Sequence, residues 1–228
     1  NLVYFDNETS EVVTPGKVHY EDLNALPNPA YDAIDWTQYL SPSPPVLYSP
    51  TRGCYWNRCT FCDYGLASDG PTSPWRERST AQVVGDLKTI AQDHRFFYLS
   101  VDVLSPKGVR KMAKAIVEEG IDINWAAEFR LEKTYEPDFC ELLRQSGCVA
   151  ASMGLESASQ RVIDLIDKGT DAKTLPTTIE NFTNAGIGVQ LMAFTGFPSE
   201  TTDEALDTIN FLGTHPDHWA LAGIGNFH

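Results

Sequence analysis

From Val46 onward the chain alternates short apolar runs with longer segments of helical period, and this alternation limits the possible folds more than any other feature. Strand-like runs are expected at 46–48, 96–101, 123–129, 149–154, 189–195 and 219–224. The helices between them carry their own start and stop signals. Ser79 with Gln82 reads as a capping box ahead of Val83, Val84, Leu87 and Ile90. Ser105-Pro106 supplies an N-cap and an N1 proline, and Gly120 closes that helix. An apolar stripe of Phe139, Leu142 and Leu143 ends at Gly147, and Ser157 with Gln160 is expected to open a helix that Gly169 ends. A further helix is expected over 171–186, and one over 201–213 with Thr201 and Glu204 as its capping box. Strands fed through helices build a parallel sheet. About six such units are too few for an eight-stranded closed barrel. A partial (β/α)6 barrel and an open doubly wound sheet both fit the pattern.

Residues 1–45 follow a different rule. They carry Pro15, Pro27, Pro29, Pro42, Pro44 and Pro45, many acidic residues and little periodicity, as an extended linker lying on a surface would. Tyr31, Trp36 and Tyr39 are candidates to pin it to a neighbour. The first residue is Asn1, and the chain reads as a piece of a longer protein, with its core spanning 46–228.

The formal charge is −14 and the pI about 4.6. Such a chain is a poor match for nucleic-acid phosphates, which select Lys and Arg. No apolar run approaches the roughly 20 residues of a membrane span, and no basic-then-apolar leader opens the sequence. Five cysteines, unevenly spaced, indicate a reducing, cytoplasmic setting. Cys140 and Cys148 sit in apolar patterns and read as packing thiols. His19, His94, His215 and His218 read as surface or loop residues.

In parallel α/β folds chemistry collects at the carboxyl ends of strands. Polar residues fall there: Asp102 after the second run, Glu128 and Arg130 after the third, Glu156 after the fourth, Thr195 and Gly196 after the fifth. Each has a plainer reading. Asp102 suits a helix cap, Glu156 a helix-dipole partner, Arg130 a rim ion pair and Gly196 turn geometry.

After the first run comes Arg52-Gly53-Cys54-Tyr55-Trp56-Asn57-Arg58-Cys59-Thr60-Phe61-Cys62, a C-x4-C-x2-C loop. A structural zinc needs four ligands, and no fourth Cys or His lies close. Unligated packing thiols are a second reading. A [4Fe–4S] cluster on three thiolates, with one iron open to an exogenous ligand, fits best.

These residues resemble the cluster loop of the radical S-adenosylmethionine (SAM) enzymes. The likeness extends through Ile123–Arg130, Met153–Val162 and Thr195–Thr201, and is greatest to the cobalamin-binding group. One residue more than the common C-x3-C-x2-C separates Cys54 from Cys59. The resemblance implies a partial (β/α)6 barrel that follows a cobalamin-binding domain absent from this chain. It implies reductive cleavage of SAM to a 5′-deoxyadenosyl radical that modifies a small-molecule or peptide substrate. A reductant protein such as flavodoxin or ferredoxin would supply the electron. Methyl transfer and peptide maturation are both within its reach. Cys54, Cys59 and Cys62 would ligate the cluster, and Phe61 would lie against the adenine. Tyr48 would stand near the methionyl end, and Asp102 would accept from the SAM ammonium. Glu128 and Glu156 would hold the ribose and methionyl part, with Arg130 beside them. Lys168 would pair with the SAM carboxylate, and Gly196 would let the backbone approach the adenine. The alternatives are a radical SAM enzyme without cobalamin, and a non-catalytic iron–sulfur or zinc-stabilised domain.

Overall fold

The computed structural model describes residues 3–14, 19–63, 74–99 and 103–227. Six parallel strands form the main sheet: β1 (Val46–Tyr48), β2 (Phe96–Leu99), β3 (Asn124–Arg130), β4 (Cys148–Glu156), β5 (Gly188–Thr195) and β6 (Leu221–Asn226). Each strand pairs with the next one in sequence, so the sheet winds in a single direction. A doubly wound sheet reverses its strand order at a switch point, and none occurs among the described residues. The chain therefore has the partial-barrel architecture, with β1 and β6 as its edges.

The helices are α1 (Thr80–Ile90), α2 (Pro106–Glu118), α3 (Pro137–Gln145), α4 (Gln160–Leu165), α5 (Leu175–Asn184) and α6 (Thr202–Thr214). Strand alternation sorts the side chains. Val46, Tyr48, Phe97, Leu99, Trp125, Ala127, Phe129, Ala151 and Met153 face the helix layer and are buried. The opposite face lines the barrel interior in register rows, one of Glu128, Ser152 and Gln190, and the next of Arg130, Gly154 and Met192. Cys140 and Cys148 are buried packing thiols; burial pushes Cys140 up to about 12 and Cys148 higher still.

Several local signals resolve differently from their sequence reading. Ser79 caps α1 by accepting from the Gln82 N–H, but the Gln82 side chain turns to Asp86, so the box is half made. The cap of α4 is Ser159, not Ser157. Ser157 instead contacts Thr208 Oγ1 on α6 and accepts from the Ser159 N–H. The segment after Asp171 begins as a 3-10 turn, Ala172–Thr174, before α5. The Thr201–Glu204 capping box is complete.

Residues 1–45 are not simply extended. A small hairpin pairs Tyr4–Asp6 with Glu11–Val13, and three 3-10 turns follow. Asp22 and Asp35 cap two of those turns through their carboxylates. Tyr31 donates its hydroxyl to the Leu47 carbonyl on β1, and Trp36 packs edge-on against His94. Among the described residues no helix is long and apolar enough to cross a membrane.

Candidate functional site

The carboxyl ends of the strands form one rim, and the cysteine loop lies on it directly after β1. Gly53 (φ +79°) and Asn57 (φ +53°) turn the loop back on itself, and Cys54, Cys59 and Cys62 are free, partly exposed thiols. Each of the other two acts electrostatically on Cys59. Burial pushes the Cys59 thiol above its ordinary value, while the nearby Lys168 and Arg130 cations pull it back.

Three of the four residues between Cys54 and Cys59, with Thr60 just beyond, fasten this loop to the rest of the rim. Tyr55 donates its hydroxyl to Glu132 at 2.6 Å. Trp56 donates its indole N–H to the Asp167 carbonyl at 2.7 Å. Arg58 forks onto the Asp167 carboxylate at 2.9 and 3.0 Å. Thr60 donates to the Ile166 and Leu165 carbonyls. The loop is thus latched to the turn after α4, which carries Lys168. Gly169 (φ +70°) lies flat under Trp56, where any Cβ would overlap the ring.

The other expected site residues divide. Arg130 is 5% exposed and lies behind the loop, its guanidinium 4.3 Å from the Trp56 ring centroid. It pairs with Glu132 at 2.9 Å and donates to the Lys168 carbonyl. It is a strut between the two segments rather than an open contact for a ligand. Glu156 and Lys168 meet each other at 2.9 Å. Glu156 follows a register shift in β4 and takes a left-handed backbone (φ +60°), unusual for a non-glycine residue. Gly154 makes room for the pair: a Cβ there would overlap Glu156 Oε1 and lie 2.9 Å from Lys168 Nζ. Glu156 takes one of the three donors of the Lys168 ammonium. Glu128 accepts from Tyr98 on the neighbouring strand at 3.0 Å, and burial, then the Glu128 carboxylate, push the Tyr98 hydroxyl up to about 12.

Phe61 packs against Phe194 and Phe227, at ring-centroid distances of 5.2 and 6.3 Å, giving an aromatic wall at the β5–β6 end of the rim. Gly196 (φ +86°) turns the chain beside that wall, and a Cβ there would meet nothing within 4 Å. Tyr48 is not brought to this site. It shares a sheet face with Leu99, points into the helix layer at 1% exposure and donates to Asp86 at 2.7 Å. Asp102 lies outside the described residues.

Three soft thiolates on one anchored loop suit an iron–sulfur cluster. Among the described residues no three His, Cys, Asp or Glu converge on a single point.

The family model for the radical SAM superfamily matches residues 48–212. The chain belongs to the radical SAM superfamily. Over 202 residues it is 26% identical to an uncharacterised methyltransferase of Pyrococcus horikoshii, spanning 86% of this chain and 43% of that protein. Its fold is similar to that of OxsB, a cobalamin-dependent SAM radical enzyme solved with aqua-cobalamin and SAM bound. The TM-score is 0.75 at 18% identity, over 92% of this chain and 31% of OxsB. It is also similar to TsrM from Kitasatospora setae, a radical SAM methyltransferase solved with cobalamin and a [4Fe–4S] cluster. There the TM-score is 0.68 at 16% identity, over 81% of this chain and 34% of TsrM. At these identities the structural likeness is one of fold. This radical SAM chain spans less than half the length of each of these proteins.

The latch residues Trp56, Arg58 and Asp167 and the partner Glu132 were not singled out in the sequence. One signal for them was available: Trp56 and Arg58 occupy the longer-than-usual interval between the first two cysteines, and an added residue there needs somewhere to pack.

Proposed function

We propose that this chain is the catalytic core of an enzyme that uses a [4Fe–4S] cluster and SAM to begin radical modification of a small-molecule or peptide substrate. The observation that carries this reading is the three-thiol loop seated on the rim of a six-stranded partial barrel and latched to the turn bearing Lys168. Cys54, Cys59 and Cys62 would hold the cluster. When bound, the cluster and SAM supply one-electron cleavage of a sulfonium C–S bond.

The protein's own groups provide binding and exclusion of water. Lys168 and Arg130 beside Cys59 favour its thiolate form. Lys168, aimed by Glu156, supplies an ammonium for the carboxylate of an amino-acid moiety, which would share it with Glu156. Phe61, with Phe194 and Phe227 set edge-on or tilted to it and to each other, offers an apolar aromatic wall to an adenine. Gly196 leaves open space beside it. Glu128 and Tyr98 present polar groups to the barrel interior, where the substrate would lie. Asp102 remains a candidate for the SAM ammonium. Cobalamin, held by a domain outside this chain, is part of the proposal and draws support from the cobalamin-bound fold relatives. A flavodoxin- or ferredoxin-type donor would reduce the cluster.

The full-length protein, reconstituted anaerobically with iron and sulfide and then given SAM and dithionite, is expected to release 5′-deoxyadenosine. A filled cluster with no 5′-deoxyadenosine would refute the proposal, and stoichiometric zinc without iron would favour a binding domain. Lys168→Met is expected to raise the apparent KM for SAM by about tenfold or more, the scale of one charged hydrogen bond. An unchanged KM would remove Lys168 from the binding set.

A further inference from the structure

Behind the short ladder of Thr51–Arg52 and Arg76–Glu77, between the first turns of α1 and α2, the described residues enclose a cavity of about 580 Å³. None of the residues placed at the rim lines it. Its size falls within the roughly 300–1,000 Å³ typical of small-molecule sites. Part of its wall is apolar, from Val83, Leu104, Val109 and Met112. The rest is polar and, for this chain, unusually positive.

Three cations line the cavity: Arg78, Lys107 and Lys111. Arg78 is 8% exposed and spends one guanidinium nitrogen on Asp86 and the Leu26 carbonyl, while its Nε has no hydrogen-bond partner. Lys107 and Lys111 are one turn apart on α2, so their ammonium groups serve the same opening. Neither has an ion-pair or hydrogen-bond partner among the described residues. In a chain of net charge −14, carboxylates outnumber cations and lysines normally find them. Among the described residues a single carboxylate, Glu77, lines the cavity. Its Oε2 lies over the first turn of α2, 3.0 Å from where a Cβ on Gly108 would stand. Two wall residues also hold buried polar atoms that no protein group satisfies, the Thr51 hydroxyl and the Trp75 indole N–H. Buried polar atoms are normally paired.

We propose that this cavity is a second binding site, for a small organic anion. The anion's apolar body would rest against Val83, Leu104 and Met112, and its carboxylate or phosphate would be held by Lys107 and Lys111. Trp75 of its wall packs edge-on against Tyr55 of the cysteine loop, 6.3 Å between ring centroids, so the cavity neighbours the rim site without sharing its cysteines, Glu156 or Lys168.

Titration calorimetry of the full-length protein tests this, with phenyl phosphate and phenylacetate as probes and benzyl alcohol as the neutral control. At least one of the two anions is expected to bind, more weakly as salt is raised. The Lys107→Ala/Lys111→Ala double variant, altered only at unpaired positions, is expected to lose about tenfold or more of that affinity. Phenyl phosphate binding alone would assign a phosphate-bearing ligand, and phenylacetate binding alone a carboxylate. The proposal fails if neither anion binds, if the double variant binds as tightly as the wild type, or if benzyl alcohol binds as well as the anions. Heats of binding do not depend on radical chemistry, so this result stands apart from the 5′-deoxyadenosine assay.

Discussion

Gly169→Ala in the full-length protein is expected to halve, or worse, the iron retained after anaerobic reconstitution, while the helical circular dichroism stays close to wild type. Two effects act at this position. The left-handed backbone, φ +70°, costs an alanine about 1–2 kcal/mol. A methyl group there would also overlap the Trp56 ring and push it off its seat. Trp56 is tied to the Asp167 carbonyl and packs against Arg130, so moving it slackens the segment between Cys54 and Cys59. Gly186→Ala separates the two effects. Gly186 is also left-handed, φ +77°, but its methyl group would meet only Arg144 Nε, at an ordinary 3.6 Å. That variant should carry the backbone cost and keep its iron. Equal iron in both variants would show that the Trp56 latch does not govern cluster retention.

The same latch shows where sequence reasoning stops. Strand positions, their parallel order and the ranking of the rim as the place for chemistry all follow from period and punctuation. Those signals are local, and each strand here pairs with its sequence neighbour, so local order equals spatial order. The cysteine loop was legible because thiol spacing has few other uses. Contacts that cross the chain were not. Arg58 finds Asp167 109 residues away, and Arg130 turns behind the loop instead of into the site. Capping boxes were overread for a related reason. A glutamine at the third helical position has an amide that another acceptor can claim, as Asp86 claims that of Gln82, while Gln160 becomes the first residue of α4 once Ser159 is the cap and donates to Asp164. At Thr201 the third residue is Glu204, and its carboxylate both closes the box and receives Arg161.

Asp86→Ala is expected to destabilise the barrel's first βα unit by about 3–5 kcal/mol, the cost of stranding a buried charge. Hydrogen exchange at the α1 and β1 amides of the full-length protein reads this directly. Asp86 lies on the apolar face of α1, between Val83 and Ile90 in helical phase, at 4% exposure. Its carboxylate takes the Arg78 guanidinium at 3.0 Å, the Tyr48 hydroxyl at 2.7 Å and the Gln82 amide at 2.8 Å. Burial, then the hydrogen bond to Asp86, hold the Tyr48 hydroxyl well above its ordinary value, so Tyr48 stays a neutral donor. This network explains why the Tyr48 side chain, six residues before the first cysteine, turns into the helix layer. Its place is behind the sheet, joining β1 to α1, and through Arg78 to the Leu26 carbonyl of the N-terminal segment. Tyr48→Phe removes one neutral donor and should cost about 1 kcal/mol. Asp86→Leu combined with Arg78→Met removes both charges, and should cost much less than Asp86→Ala alone. If the single and double variants lose equal protection, the stability resides in apolar packing around Tyr48 rather than in the ion pair.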